Sequence, residues 1–261
     1  MQDANLEYFK TLLQVMKKLR GPEGCPWDRE QTRDTLKWYL VEECYEALDA
    51  IEKGLDEKIK EELGDILFQI IFLAEISEED GMFNIFDVIN SAREKMVRRH
   101  PHVFQNENAK DSEEVKKIWQ KIKKEEKKDE EGSILDSIPK NLPSLLRAFR
   151  ITKGAAQIGF DWNNVEGVFN KIKEEIEEFR ETLKEKDKEG MENELGDILF
   201  SLVNLGRFLE INPEDALRKT INKFIMRFKN IEISSKKKDK EIYDLTMKEM
   251  DKLWDEAKKN G

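Results

Sequence analysis

Residues that build disulfides and transition-metal sites are scarce in this sequence of 261 residues, which has two cysteines and two histidines. Cys25 and Cys44 form no paired motif, which argues against a disulfide framework or a zinc-thiolate site and fits a reducing compartment. We therefore expect both cysteines to be small, buried, apolar residues. His100 and His102 have no cysteine or acid at ligand spacing, so we expect Pro101 to end a helix there instead of the pair binding a metal.

Long apolar segments are also absent. The longest, from Ile66 to Ile76, is interrupted by Gln69 and Glu75 and is much shorter than the roughly 20 residues of a membrane span. The N-terminus shows no apolar signal-peptide core, so we expect a cytoplasmic protein that is not bound to a membrane. Positive charge is not in excess, since 46 basic residues face 56 acidic ones for a net charge of -10. Stable nucleic-acid binding is therefore not expected, although a local basic site remains open.

Acidic residues are abundant, and several occur in a repeated arrangement. Five acids of the first half recur 132 residues later with unchanged spacing. They are Glu42, Glu43, Glu46, Glu62 and Asp65 in the first half and Glu174, Glu175, Glu178, Glu194 and Asp197 in the second. The last two acids of each set lie in the same string, ELGDILF. Two tandem modules that each carry one site explain this pattern.

Helical periodicity dominates the sequence, and no segment alternates as a β-strand does. We therefore predict an all-α fold of two tandem helical-hairpin modules. In the first module, helices from about Thr35 to Lys53 and from Asp56 to Ser77 should meet at Gly54, with Asp56 as the N-cap of the second helix. Glu46 and Glu62 then both lie about 11 Å from the turn, so they can face each other.

The repeat continues beyond the hairpin. Lys95 and Arg99 correspond to Lys223 and Arg227 after the offset shortens from 132 to 128, and Trp119 then corresponds to Trp254. A charge-rich segment lies between the two halves and is typical of a connector. We place the first module at 1–125, the linker at 126–142 and the second module at 143–261.

Four carboxylates in a partly buried space between two helices cannot all stay ionised unless a cation compensates them. A ligand set made only of carboxylate oxygens favours Mg²⁺. A di-iron site is the competing interpretation, but it requires Glu-x-x-His on two helices, and His100 and His102 lie elsewhere. Magnesium usually recruits phosphates, and the paired Lys and Arg residues, with Arg98 beside them, can hold a polyphosphate. The combination suggests attack of water on a phosphoanhydride.

The pattern EExxE followed by ExxD, with GDILF at the second acid, CPWD near the start and RRHPHVF after the first hairpin, resembles the MazG family of nucleoside triphosphate pyrophosphohydrolases. The resemblance covers essentially the whole chain in a two-module form. It implies an all-α fold whose modules pair across a homodimer into helical bundles. It also implies Mg²⁺-dependent hydrolysis of NTPs or dNTPs between the α and β phosphates, giving NMP and pyrophosphate.

The resemblance further implies roles for individual residues. The catalytic, metal-binding acids of the second module would be Glu175, Glu178, Glu194 and Asp197, and the matching metal ligands of the first would be Glu43, Glu46, Glu62 and Asp65. The substrate contacts would be Lys171, Lys223, Arg227 and Trp254, with Lys95, Arg98 and Arg99 in the first module. Glu175 is our candidate general base. Tyr39 stands where Lys171 would be, which puts activity of the first module in doubt.

Two other interpretations stay open. Acids at these spacings also occur on solvated helix faces, and Trp119 and Trp254 can be core anchors. The chain would then be a helical interaction protein whose acidic sites hold structural Mg²⁺ or bind nucleotide without turnover. Within the enzyme class, a narrower preference for dUTP or for aberrant nucleotides is also open.

Overall fold

The computed structural model describes residues 2–105, 108–126, 132–237 and 240–259, and within these ranges it contains helices and no strand. This confirms the predicted all-α class. The chain divides into two compact units, Met1–Glu130 and Glu131–Gly261. The finer division, with a separate linker at 126–142, stays a prediction. None of the helices in the described ranges has the length and apolar character needed to cross a membrane.

The described part of the first unit contains seven helices: α1 (Gln2–Arg20), α2 (Pro26–Glu30), α3 (Arg33–Lys53), α4 (Asp56–Glu79), α5 (Ile85–Arg99), α6 (Pro101–Phe104) and α7 (Ser112–Glu126). The described part of the second unit contains five: α8 (Ser144–Gln157), α9 (Val165–Glu185), α10 (Lys188–Phe208), α11 (Pro213–Lys236) and α12 (Met247–Lys259). A short 3-10 turn, Ile242–Asp244, lies between α11 and α12.

Each unit is organised around one helical hairpin, α3 with α4 and α9 with α10. Thr32 and Thr35 cap the start of α3 reciprocally, each side chain accepting a hydrogen bond from the other residue's backbone N–H. Gly54 ends α3 with a φ of 65°, in the left-handed region that favours glycine. The predicted N-cap of α4 is wrong, because Leu55 occupies that position and Asp56 is the first helical residue. The Asp56 carboxylate, in the first turn of α4, still interacts favourably with the helix dipole.

The core of the first unit fixes the hairpin against α1. Met16, Leu36, Ile71 and Phe72 are at most 1% exposed and form one cluster. These residues come from α1, α3 and α4, so the core packs the hairpin against α1. Arg20, at the end of α1, adds hydrogen bonds to the Glu79 carboxylate on α4.

The second unit has a smaller core, formed by Ile231, Leu245 and Leu253 between α11 and the C-terminal elements. Many large apolar side chains on α10 and α11 remain exposed. On α10 and α11 they are Leu195, Leu199, Phe200, Leu202, Leu217, Ile221, Phe224, Ile225, Met226, Phe228 and Ile233. This unit therefore presents an uncovered apolar face.

Two minor expectations have opposite outcomes. The helix stop is confirmed, because α5 ends at Arg99 and α6 begins at Pro101. The expectation of buried cysteines is wrong: Cys44 is exposed and Cys25 is partly exposed. The reason for Cys44 is that α3 buries the face carrying Ala47 and Ala50, and Cys44 lies off that face.

Candidate active site

The two hairpins each bring three acids together. In the first hairpin, Glu43 on α3 meets Glu62 and Asp65 on α4, with one carboxylate oxygen from each lying within 4.8 Å of the others. In the second hairpin, Glu175 on α9 meets Glu194 and Asp197 on α10 under the same limit. The acids of the two helices face each other across each turn as expected, but the equidistant pair Glu46 and Glu62 is not the one that converges, because the group contains Glu43 and not Glu46.

The fourth acid predicted for each site lies beside its cluster. Glu178 is exposed, yet nearby protein atoms reduce its hydration and raise its pKa, and a hydrogen bond with Glu175 raises it further. Glu46, its counterpart, is also exposed and raises the pKa of Glu43 by charge repulsion. Both fourth acids are thus close enough to interact electrostatically with their clusters, although the three-oxygen grouping does not include them.

Negative charge and lost hydration are concentrated at both clusters. Burial is the largest cause that raises the pKa of the Glu43 carboxyl, and the charge of Asp65 is the next. In the second cluster, Oε2 of Glu194 is buried and accepts no hydrogen bond. In the first, Oε1 of Glu62 is buried without a well-directed hydrogen bond, although Lys58 Nζ lies 2.7 Å away. Buried carboxylate oxygens with unused lone pairs fit a hard divalent cation, so each cluster is suited to hold a metal ion.

One lysine lies beside each acid cluster, but the two lysines come from non-equivalent helices of the two hairpins. Lys171 on α9 is 2.7 Å from Glu174 and 2.8 Å from Glu175. Lys58 on α4 is 2.7 Å from Glu62. Attraction to these carboxylates raises the pKa of both lysines, so each is firmly charged. Tyr39 occupies the position of Lys171 in the first module.

Sequence reasoning missed Lys58. The signal was available, because Lys58 precedes the buried Glu62 by four residues, the same spacing by which Lys171 precedes the buried Glu175. Residues four apart on a helix are neighbours on one face. The residue that corresponds to Lys58 in the second module is Gly190, so each module has a lysine at one of these two positions and lacks it at the other.

The predicted substrate contacts of the second module form a group on α11 and α12. The guanidinium of Arg227 lies 5.8 Å from the centre of the Trp254 ring, and Phe224 contacts the same ring at 5.0 Å. Nε of Arg227 is buried without a hydrogen-bond partner. Lys223 is exposed on the same helix. Among the described residues, no hydrogen bond or ion pair joins this group to the acids of α9 and α10, so it forms a separate basic and aromatic surface within the chain.

The matching cations of the first module are already paired. Arg98 and Arg99 both donate hydrogen bonds to the carboxylate of Glu126 at the end of α7. Arg99 also lies 5.7 Å from the centre of the Trp119 ring, which repeats the arrangement of Arg227 and Trp254. Lys95 is exposed. The carboxylate of Glu126 therefore pairs with both arginines, which are side chains that we predict to bind a phosphate.

The Glu126 contacts predict a pH-dependent contribution to stability. Hydrogen bonds from Arg99, and next from Arg98, lower the pKa of Glu126 to about 2, against roughly 4.3 in an unfolded chain. A carboxyl whose pKa is lower in the folded state stabilises fully above about pH 5 and loses this contribution as the pH falls towards 2. In urea unfolding followed by circular dichroism, we expect Glu126→Gln to lower the midpoint at pH 7 and to have a smaller effect at pH 3. An equal effect at both pH values would contradict this prediction.

Comparison with known proteins agrees with the repeated site. A sequence profile of the MazG nucleotide pyrophosphohydrolase domain matches residues 31–104 and 163–231. The chain is 45% identical over 258 residues to the nucleoside triphosphate pyrophosphohydrolase/pyrophosphatase MazG of Thermotoga maritima, covering 99% of this chain and 98% of that protein. It is 41% identical over 252 residues to the nucleoside triphosphate pyrophosphohydrolase of Escherichia coli K12, covering 95% and 96%. A solved mazG-related protein from Thermotoga maritima is 30% identical, with a TM-score of 0.39 over 44% of this chain and 98% of that chain.

The fold and its sites define an all-α protein of two hairpin modules, each with a carboxylate cluster suited to a metal ion. Because the profile matches both modules and the Thermotoga relative aligns over nearly the whole chain, the chain belongs to the MazG nucleotide pyrophosphohydrolase family. This confirms the family and the hydrolase class predicted from the motifs. The matched ranges include the acids of both modules, but Trp254 lies outside them.

Proposed function

We propose that the chain is a Mg²⁺-dependent nucleoside triphosphate pyrophosphohydrolase that cleaves NTPs and dNTPs between the α and β phosphates. The observation that carries this proposal is the second cluster, where Glu175, Glu194 and Asp197 converge within 4.8 Å and Lys171 lies beside them. Membership of the MazG family supports the reaction class. We also propose that the substrate is free cytoplasmic nucleotide, and that neither a membrane nor a nucleic acid is a stable partner.

The residues of the second module divide into acids and cations with different tasks. Glu175, Glu178, Glu194 and Asp197 would hold Mg²⁺, and Lys171, Lys223 and Arg227 would neutralise the triphosphate. Bound Mg²⁺ would lower the pKa of a water and stabilise the charge of the leaving pyrophosphate. In the reaction, the water oxygen bonds to phosphorus, the α–β bridging bond breaks, and the released proton passes to a carboxylate, for which Glu175 is our candidate. Trp254 would contact the base or ribose.

We propose that the first module is a weaker site or a scaffold. Its acids, Glu43, Glu46, Glu62 and Asp65, are suited to the same metal. However, Tyr39 replaces the phosphate-binding lysine, and Lys58 is paired with the buried Glu62. The pairing with Glu126 also engages Arg98 and Arg99, two of the three substrate contacts predicted for this module, although Arg98, like Lys95, is exposed.

We propose that the chain acts as a homodimer whose modules complete helical bundles, because α10 and α11 expose an apolar face that one unit leaves uncovered. Sedimentation equilibrium should then give twice the chain mass of 30.8 kDa. Leu199 is 47% exposed on α10, on the same side of the helix as Leu195 and Leu202, and Leu199→Glu should shift the equilibrium to monomer because burying an unpaired charge is costly. Tyr243→Glu, at a side chain 93% exposed in the 3-10 turn, is the control that should leave the dimer intact. A monomeric wild type would refute the dimer.

A second candidate function is a helical protein that binds metal or nucleotide without turnover. The observation that favours it is the first cluster, which has the acids but not the lysine at position 39. Mg²⁺-dependent turnover of a panel of NTPs and dNTPs, with products identified as pyrophosphate or phosphate, distinguishes the two. Pyrophosphate with NMP supports the enzyme. Binding without product supports the alternative.

A further inference from the structure

In each unit, a half-exposed tryptophan precedes the hairpin and packs on the helix that carries the first acids. Trp162 is 44% exposed, and its ring lies against the first turn of α9: a Cβ at Gly167 would be only 3.0 Å from ring atom Cε3. Glycine at this position therefore permits the close approach. Trp27 is 50% exposed and contacts Tyr39 on α3 edge to face, with ring centres 5.9 Å apart. In both units the ring precedes the hairpin, although Trp27 lies in α2 and contacts α3 about one turn further along than Trp162 contacts α9.

The loop that carries Trp162 is anchored on both sides. The preceding residue, Asp161, forms an ion pair with Arg207 on α10 through both carboxylate oxygens, and it accepts a hydrogen bond from the backbone N–H of Trp162. Asn164 follows and caps α9 by accepting from the N–H of Gly167. These contacts hold the backbone around Trp162 in place while almost half of its side-chain surface faces solvent. A large apolar ring kept exposed on a fixed loop is suited to receive a ligand.

The order of groups along α9 matches the order of groups in a nucleotide. Gly167, Lys171 and Glu175 are four residues apart and therefore lie near one another on one face, over about 12 Å of helix. Trp162 packs at the start of this stripe, Lys171 lies in its middle, and the acid cluster lies at its end. Helical side chains lean towards the N-terminus, which brings the Glu175 carboxylate closer to the tryptophan. In a nucleoside triphosphate bound to a metal ion, the base, a phosphate and a metal-bound phosphate follow one another in the same order.

We propose that Trp162 is a further substrate-binding residue, which stacks on the base or ribose of a nucleoside triphosphate whose phosphates lie between Lys171 and the second acid cluster. This rests on the proposed function and extends it. Aromatic stacking accepts every base because each has a flat face, so Trp162 would strengthen binding without strong base preference. Trp254, which we also propose to contact the base or ribose, is partly buried on α12 and contacts Phe224 and Arg227.

The first module provides the internal comparison. There Trp27 lies beside the tyrosine that replaces the site lysine, so an aromatic ring fills the position where a phosphate would be neutralised. The first module therefore lacks the lysine that lies between the tryptophan and the acids in the second module. Trp27→Ala is accordingly the matched control for Trp162→Ala, because it removes the corresponding ring from the module that we expect to contribute little to substrate binding.

The test compares two ligands by titration calorimetry in Mg²⁺: an α,β-methylene nucleoside triphosphate, which has a base, and inorganic tripolyphosphate, which has none. Trp162→Ala should weaken binding of the nucleotide analogue by about tenfold or more, as expected for loss of one stacked base, and leave tripolyphosphate binding unchanged. Trp162→Phe should recover most of the affinity, and Trp27→Ala should behave as wild type.

Three results would overturn the proposal in distinguishable ways. Unchanged analogue binding by Trp162→Ala would show that the ring does not touch the nucleotide. Equal weakening of both ligands would show that Trp162 only holds α9 in place. If the wild type bound neither ligand, the proposed function itself would fail, and the role of Trp162 would fail with it.

Discussion

Pyrophosphate release should fall by about a thousandfold when Glu175 is replaced by glutamine. The amide is nearly the same size, but it removes the negative charge that Lys171 and the proposed metal would share, and it cannot accept the proton of the attacking water. General-base contributions are roughly 10²- to 10⁴-fold, and the predicted loss lies within that range. The measurement is Mg²⁺-dependent turnover of NTPs and dNTPs, with the products identified chemically.

The matched control is Glu43→Gln at the corresponding position of the first module. If pyrophosphate release is lost only in Glu175→Gln, catalysis lies in the second module and the first is a scaffold or regulatory site. A similar loss in both variants would mean two working sites. Wild-type rates in Glu175→Gln would falsify the role of this carboxylate, and no pyrophosphate from any nucleotide in the wild type would favour the binding protein without turnover.

Replacement of Lys171 by tyrosine, the residue found at position 39 in the first module, should lower kcat/KM by roughly tenfold to a hundredfold. This range corresponds to one charge-assisted hydrogen bond, worth about 1.5–3 kcal/mol. Lys171 is about one-third exposed and lies within 2.8 Å of Glu175, so the variant removes a cation from the acid cluster without opening a buried core. Steady-state kinetics with one NTP would measure the effect.

The reciprocal change, Tyr39→Lys, tests whether a lysine at this position is enough to give the first module activity. It introduces the same cation one turn before Glu43, beside acids that already converge. Activity of the Glu175→Gln chain should remain low or rise slightly when Tyr39→Lys is added, because Arg98 and Arg99 still pair with Glu126. Unchanged kcat/KM in Lys171→Tyr would contradict a phosphate-binding role for this lysine.

Several features of the site followed directly from the sequence. The hairpins and the turn at Gly54 were predicted because helical periodicity and a left-handed glycine are local signals. The facing of acids across the turn was predicted from the equal distances of Glu46 and Glu62 to it, but the three-acid group contains Glu43 in place of Glu46. The cap of α4 was misassigned because Leu55 and Asp56 differ by one position, which periodicity does not resolve.

Other features depended on packing between distant segments. The pairing of Arg98 and Arg99 with Glu126 joins residues 27 or more positions apart, and it engages two side chains that we predict as phosphate contacts. The approach of Trp162 to Gly167 depends on how the Asp161 loop is anchored to Arg207. Neither contact has a periodic or motif-level signal in the sequence.

The sequence by itself determined the family, the all-α class, the two repeated modules and the identity of the acids, because these follow from local periodicity, spacing and motif. Only the tertiary structure decided which three acids of each set converge and which glutamate of each cluster is buried. Glu62 is buried in the first cluster and Glu175 in the second, although they hold different positions in the repeat. The physical reason is that burial and carboxylate distances depend on how whole helices pack, and two hairpins with the same acids can pack differently around them.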